Sequence, residues 1–148
     1  MKKMNVMYVG LMLLLMTSCA VQKSGGDVSA ILLGKQWQLL ELDGKAVAEK
    51  VNGRMPFLQF DAESGRYQAS GGCNGVGGEY TLEKDNGITF GPGMSTMMAC
   101  PDMSVEQGLR GLFEKANTYT IDGKNLSLSN KETGKLLAKF VAVGKPEQ

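Results

Sequence analysis

Two short stretches hold the residue types that do chemistry. Gly71-Gly72-Cys73-Asn74-Gly75-Val76-Gly77-Gly78 and Met94-Ser95-Thr96-Met97-Met98-Ala99-Cys100-Pro101 each join one cysteine to residues that strands and helices use sparingly, so they read as two loops pinned together in space. A thiolate ahead of a helix is activated, and Cys100 precedes a helix start at Ser104. The chain has no histidine, however, so neither a Cys-His pair nor a Ser-His-Asp arrangement exists, and no Cys-x-x-Cys is present for dithiol exchange. Met94, Met97, Met98 and Met103 with Cys100 form a soft ligand set suited to Cu(I), but methionine equally fills irregular gaps under loops. Zinc is disfavoured by two thiols without imidazole. The glycines do not form a phosphate loop, because no Lys-Ser or Lys-Thr pair follows and a strand rather than a helix comes next. The expectation is a non-enzyme with no cofactor.

The residues before these stretches give an address. Lys2 and Lys3 lead an apolar run over residues 6–16, well short of the roughly 20 residues that span a bilayer, so residues 1–18 read as a signal peptide. Met16-Thr17-Ser18-Cys19 resembles a bacterial lipobox, which implies cleavage before Cys19 and acyl chains on it; the alternative is an ordinary secretory signal cut near Ala20. Multiple acylation would hold the protein to a membrane without a spanning helix. Ala20, rather than aspartate, follows the cysteine, which favours the outer membrane over the inner. Residues 19–33, with Ser24-Gly25-Gly26-Asp27, read as a tether with little to bury. Sixteen basic against fifteen acidic residues form no stripe of one sign, so nucleic acid is not an expected partner.

Outside the cell's reducing interior a bond between Cys73 and Cys100 is favoured, worth about 3.5 kcal/mol on the loop-entropy account. The alternative is two buried thiols acting as small apolar side chains.

The scaffold that must position the two stretches reads mainly as strands. Residues 36–42 alternate around Trp37, and Asp43-Gly44 turns the chain into an ambiguous segment, 45–54, read as loop. Residues 56–60 and 66–70 form a hairpin that delivers the first loop. Residues 79–83 and 88–90 pair across Asp85-Asn86-Gly87, and Gly91-Pro92-Gly93 opens the second loop. Val105, Leu109, Leu112, Phe113 and Ala116 mark one face of a helix, with Glu106, Arg110 and Glu114 facing away. Ser104 with Gln107 fits a capping box, with Asp102 as the other candidate cap, and Gly108 and Gly111 suggest close approach of a strand. Residues 118–121, 126–129 and 135–143 add three more strands. The sum is an α+β, mainly β domain over residues 34–143 and a tail, 144–148. It is a strongly bent antiparallel sheet curled toward a barrel with one helix packed on it, and its core includes Trp37, Phe57, Phe60, Leu109 and Phe113.

The tryptophan strand, Gly72-Cys73-Asn74 after a hairpin, Thr96-Met97-Met98-Ala99-Cys100 before a helix and the closing apolar strand resemble the META domain, the HslJ-like group of bacterial envelope proteins. Many members carry a bulky or aromatic residue soon after the Cys-Asn pair, where this chain has Gly75-Val76-Gly77-Gly78. The resemblance implies a lipocalin-like half barrel, an envelope location and a role in heat shock or drug tolerance. It supplies no reaction. The expectation is a monomeric, lipid-anchored protein that binds an envelope protein or a small molecule. A Cu(I)-binding protein and a carrier of an apolar ligand are the alternatives.

Overall fold

The computed structural model describes residues 28–144, so the expected signal peptide, Cys19 and most of the expected tether lie outside the described residues. Strand β1 (Gln36–Leu42) is the centre of the fold. On one side it pairs β3 (Phe57–Asp61), which continues in antiparallel steps to β4 (Arg66–Ser70), β5 (Gly75–Glu83) and β6 (Gly87–Phe90). On the other side it pairs β10 (Lys135–Val143), which pairs β9 (Asn125–Asn130), which pairs β8 (Thr118–Asp122). Gly87 opposite Thr118 joins the two arms, so the bent sheet closes into a barrel. Two short strands lie off this ring. Strand β2 (Lys45–Ala46) folds back on β1, and β7 (Met94–Ser95) pairs the upper half of β5.

Alternation decides what fills the barrel. Trp37 and Leu39, Leu58 and Phe60, Tyr67 and Ala69, Leu126 and Leu128, and Ala138 and Phe140 point inward and are almost wholly buried. Phe57, expected in this core, sits one position out of phase with Leu58 and Phe60 and is only half-buried. A tyrosine cross-strand from a glycine explains a second difference. Tyr67 pairs with Gly78, and a Cβ on Gly78 would lie 3.0 Å from the tyrosine Cε1 and 2.8 Å from the Pro92 carbonyl. The run 75–78, read as loop, is therefore the first half of β5, with glycine where the ring of the neighbouring strand takes the space.

Each mouth of the barrel meets a helix. Helix α1 (Val28–Leu32) approaches the start of β1: Leu32 is fully buried and its carbonyl accepts the Trp37 indole N–H at 2.9 Å. Residues 28–33 are thus part of the domain rather than tether, because Trp37 needs a partner for its N–H once buried. Helix α2 (Ser104–Lys115) lies at the other end of β1. Leu109, Leu112 and Phe113 enter the core, and a Cβ on Gly108 would come within 2.5 Å of the Leu42 side chain. Gly108 thus permits the expected close approach of a strand. Gly111 does not, since only the Lys115 ammonium comes near it. The helix starts without a capping box. Asp102 accepts hydrogen bonds from the Ser104 N–H at 2.9 Å and the Ser104 hydroxyl at 2.7 Å, so the aspartate fixes the first turn. The segment 45–54 also carries more order than a loop, through β2 and the Val51–Arg54 bridge.

Candidate functional site

Four segments converge at the α2 end of the barrel: 51–54, 71–75, 96–102 and the first two turns of α2. Cys73 and Cys100 are joined in a disulfide, with Cα atoms 6.0 Å apart. Of the two sulfur states left open by the sequence, the bonded one is present.

Asn74 is the hub, buried to 1% exposure. Its backbone N–H donates to Glu106 Oε2 at 2.7 Å, and its side-chain Nδ2 donates to Glu106 Oε1 at 2.8 Å. The same Nδ2 donates to the Met98 carbonyl at 3.0 Å. Asn74 Oδ1 accepts from the Met98 N–H at 2.7 Å and the Thr96 hydroxyl at 2.8 Å. One side chain thus reads the backbone of the second loop from both sides. The expectation that Asn74 turns the first loop is too small a role; it joins both loops to the helix.

Glu106 is the functional residue that the sequence reading missed. It was placed on the outward face of α2, yet it is 2% exposed. A buried carboxylate is tolerated when its oxygens are satisfied, and here both are engaged by Asn74. Arg110, one turn on, approaches Oε1 at 3.5 Å and also donates to the Ser95 hydroxyl at 3.4 Å. A signal was present: Glu106 stands three and seven residues before Leu109 and Phe113, at the edge of the apolar stripe.

Glycine lets the pieces come this close. A Cβ on Gly71 would lie 2.5 Å from the Glu106 backbone nitrogen, and one on Gly72 would lie 2.4 Å from the Val51 carbonyl oxygen, with φ at +101°. Gly75 differs, with nothing within 4 Å of a Cβ there. Asn52 completes the frame by exchanging two hydrogen bonds with the Asp102 backbone.

What this frame presents is apolar. Met97 is 94% exposed, Met94 78% and Met98 49%. Ala99 is exposed beside them. These three methionines therefore do not fill gaps beneath the loops, whereas Met103 is half-buried. Beside Met97 runs a cleft of about 500 Å³ between β7 and α2, floored by Tyr67, Phe90 and Phe113 and edged by Pro92 and Arg110. The three rings touch one another, with centroids 4.7 to 5.1 Å apart. Burial holds the Tyr67 phenol pKa above its ordinary value, with a smaller opposing pull from Arg66.

The chemistry open to this arrangement is limited. The disulfide takes the one thiolate that the copper reading drew on, leaving thioethers alone, and no group of three or more His, Cys, Asp or Glu side chains gathers among the described residues. The barrel interior is taken up by side chains such as Trp37, Leu39, Leu58, Phe60 and Phe140, which leaves the carrier reading without the internal space it needs. Among the described residues no helix is long and apolar enough to cross a membrane.

Comparison with known proteins gives concordant matches. A family model described as the META domain matches residues 30–142. An NMR structure of a protein from Burkholderia xenovorans superposes with a TM-score of 0.63 at 21% identity, covering 80% of this chain and 88% of that one. A crystal structure of a DUF4847 family protein from Bacteroides vulgatus ATCC 8482 gives a TM-score of 0.54 at 17% identity, covering 77% and 96%. At such identities the likeness is one of fold. No curated protein matches.

Proposed function

This chain belongs to the META domain family, and from that premise we propose that it is a lipid-anchored envelope protein, without enzymatic activity, that binds a partner through the α2 end of its barrel. The observation that carries the proposal is Met97, an apolar side chain 94% exposed on a segment that a disulfide and five Asn74 hydrogen bonds hold fixed. Exposing an apolar side chain on a rigid frame is a cost that recognition offsets, since a preorganised surface loses little entropy on binding.

Location is supported by two independent features. A lipobox-like segment ends at Cys19, and a disulfide of this kind persists outside reducing compartments. Topology gives the anchor a consequence. Helix α1 meets the start of β1 and α2 its end, so the tether joins the domain at the end opposite the methionine surface. The absence of catalysis is supported by composition: there is no histidine, and both cysteines of the domain are bonded to each other. The stress or drug-tolerance role rests on the family resemblance.

A photo-crosslinking residue at position 97, compared with one at position 124 in the turn at the opposite end, tests the surface in intact cells. A discrete adduct from 97 and none from 124 is expected; equal labelling, or none from either, refutes it. Mass spectrometry of the mature amino terminus tests the anchor, and an unmodified residue at Ala20 or beyond would remove it.

A further inference from the structure

The sequence contains three Asn-Gly steps, Asn52-Gly53, Asn74-Gly75 and Asn86-Gly87. Each carries a latent reaction with itself. The glycine backbone nitrogen attacks the asparagine Cγ, a C–N bond forms, the side-chain nitrogen leaves as ammonia, and a five-membered succinimide results. Water then opens the ring to aspartate or isoaspartate, so one water enters for each ammonia lost, with no oxidant or reductant. Glycine favours the attack because it has no Cβ to block the approach. The reaction is fastest where the asparagine amide can rotate and the glycine nitrogen is free.

The structure treats the three steps very differently. Asn86 is exposed at φ +59°; its backbone carbonyl accepts from the Thr118 hydroxyl, and its side-chain amide has no hydrogen-bond partner among the described residues. The Gly87 N–H is engaged by the Lys84 carbonyl, which slows the attack relative to an unfolded peptide. Asn52 is also exposed, but its amide is held at both ends by the Asp102 backbone. Asn74 is held most firmly. Its Oδ1 and Nδ2 make four bonds to Glu106, Thr96 and Met98, and the Gly75 N–H itself donates to the Thr96 hydroxyl at 3.3 Å.

We propose that Asn86-Gly87 is an open self-modification site of the folded chain and that Asn74-Gly75 is a guarded one, its guard being the second loop as fixed by the Cys73–Cys100 bond. Conversion at 86 adds a negative charge to an exposed turn. Conversion at 74 sets a second carboxylate against Glu106 and replaces the donor that bridges the loop to the helix, so it dismantles the recognition end of the molecule irreversibly. Loss of the disulfide is then recorded as a covalent change at the neighbouring residue. This inference does not depend on the recognition reading.

Timed incubation of the oxidised mature protein in mildly alkaline buffer, followed by peptide mapping of the three steps, tests it. Asn86 converts first, Asn52 more slowly, and Asn74 stays intact; conversion of Asn74 as fast as Asn86 overturns the proposal. In the Cys73→Ser, Cys100→Ser double variant the Asn74 rate rises on the order of tenfold, by local opening, while the Asn86 rate is unchanged. Asn86 is the internal control, because unfolding would release the Gly87 N–H and raise its rate as well. If all three rates rise together, Thr96→Val decides, since it removes one bond from Asn74 Oδ1 and frees the Gly75 N–H without touching the disulfide. A selective rise at Asn74 then supports the guard, and no rise defeats it.

Discussion

Replacing Glu106 by glutamine changes one atom in the most buried polar cluster of the molecule, and its cost follows from counting donors. Glu106 faces two donors of Asn74, the backbone N–H at Oε2 and Nδ2 at Oε1, at 2.7 and 2.8 Å. Glutamine has one oxygen and one NH2, so in either orientation an NH2 meets an N–H. Asn74 cannot rotate to compensate, because its Oδ1 already accepts from Met98 and Thr96. One charge-assisted bond, worth about 1.5–3 kcal/mol, is lost and a buried donor is left without a partner. Relief from burying a charge offsets part of this. The expected loss is about 2–3 kcal/mol for Glu106→Gln and about 3–5 kcal/mol for Glu106→Ala, which orphans both donors.

Urea unfolding with the disulfide intact measures it. At a slope of roughly 1–3 kcal/mol/M, the glutamine variant moves the midpoint by about 0.7–3 M with the slope unchanged. A cycle with Asn74→Ala adds a sharper criterion: the double variant costs little more than either single one, giving a coupling of about 1.5 kcal/mol or more. A Glu106→Gln protein within about 0.5 kcal/mol of wild type, or an additive cycle, would refute the view that this pair ties the loops to the helix.

Reduction of the Cys73–Cys100 bond lowers unfolding stability by about 3–4 kcal/mol on the loop-entropy account, measured by the same urea titration with and without a thiol reductant. Gly72→Ala, which meets the Val51 carbonyl at 2.4 Å and φ +101°, destabilises by more than about 2 kcal/mol, whereas Gly75→Ala, with open space, stays within about 0.5 kcal/mol of wild type. Met97→Ser, at an exposed position, changes stability by less than about 0.5 kcal/mol but abolishes crosslinking from neighbouring positions of the surface. Hydrogen bonds from Ser104 hold the Asp102 pKa below 3.8, and the Lys135 hydrogen bond does the same for Asp43. Both contributions are present above the unfolded value and fade as pH falls through the folded ones, so acid titration loosens the α2 start and the Asp43 turn. On the alkaline side burial keeps Tyr67 protonated when the unfolded phenol, near 10.0, has ionised, so stability falls as pH climbs past that value.

The strands and most of the core are legible in the sequence because alternation survives into the fold. Trp37, Leu39, Leu58, Phe60, Leu126 and Leu128 keep period two in segments that face solvent on one side only. Gly75, Gly77 and Gly78 broke that reading, since a strand that accommodates a tyrosine from its neighbour carries glycine where the pattern wants an apolar side chain. Helix α1 was hidden for a different reason. Its fully buried residue, Leu32, joins the core where its carbonyl meets the Trp37 indole, and a five-residue element carries too few positions to show a period.

The candidate site divides along the same line between local and non-local information. Cys73, Asn74, Thr96, Met98 and Cys100 could be proposed because cysteine and asparagine are conspicuous beside glycine, and a family resemblance joined the two stretches. Glu106 could not, because a glutamate on a helix is ordinarily a solvated side chain, and what buries this one lies 32 residues away. The burial is nonetheless what gives the site its form. A carboxylate there fixes the Asn74 backbone and amide together, the amide binds Met98 on both sides, and the disulfide closes the same loop. The two ties act on the loop differently. With the disulfide cut, three side-chain bonds still run from Asn74 to Thr96 and Met98, but the second loop opens more often; with Glu106 removed, Asn74 loses both of its links to the helix. On the proposed reading, the surface at Met97 depends on this buried glutamate as well as on the covalent link beside it.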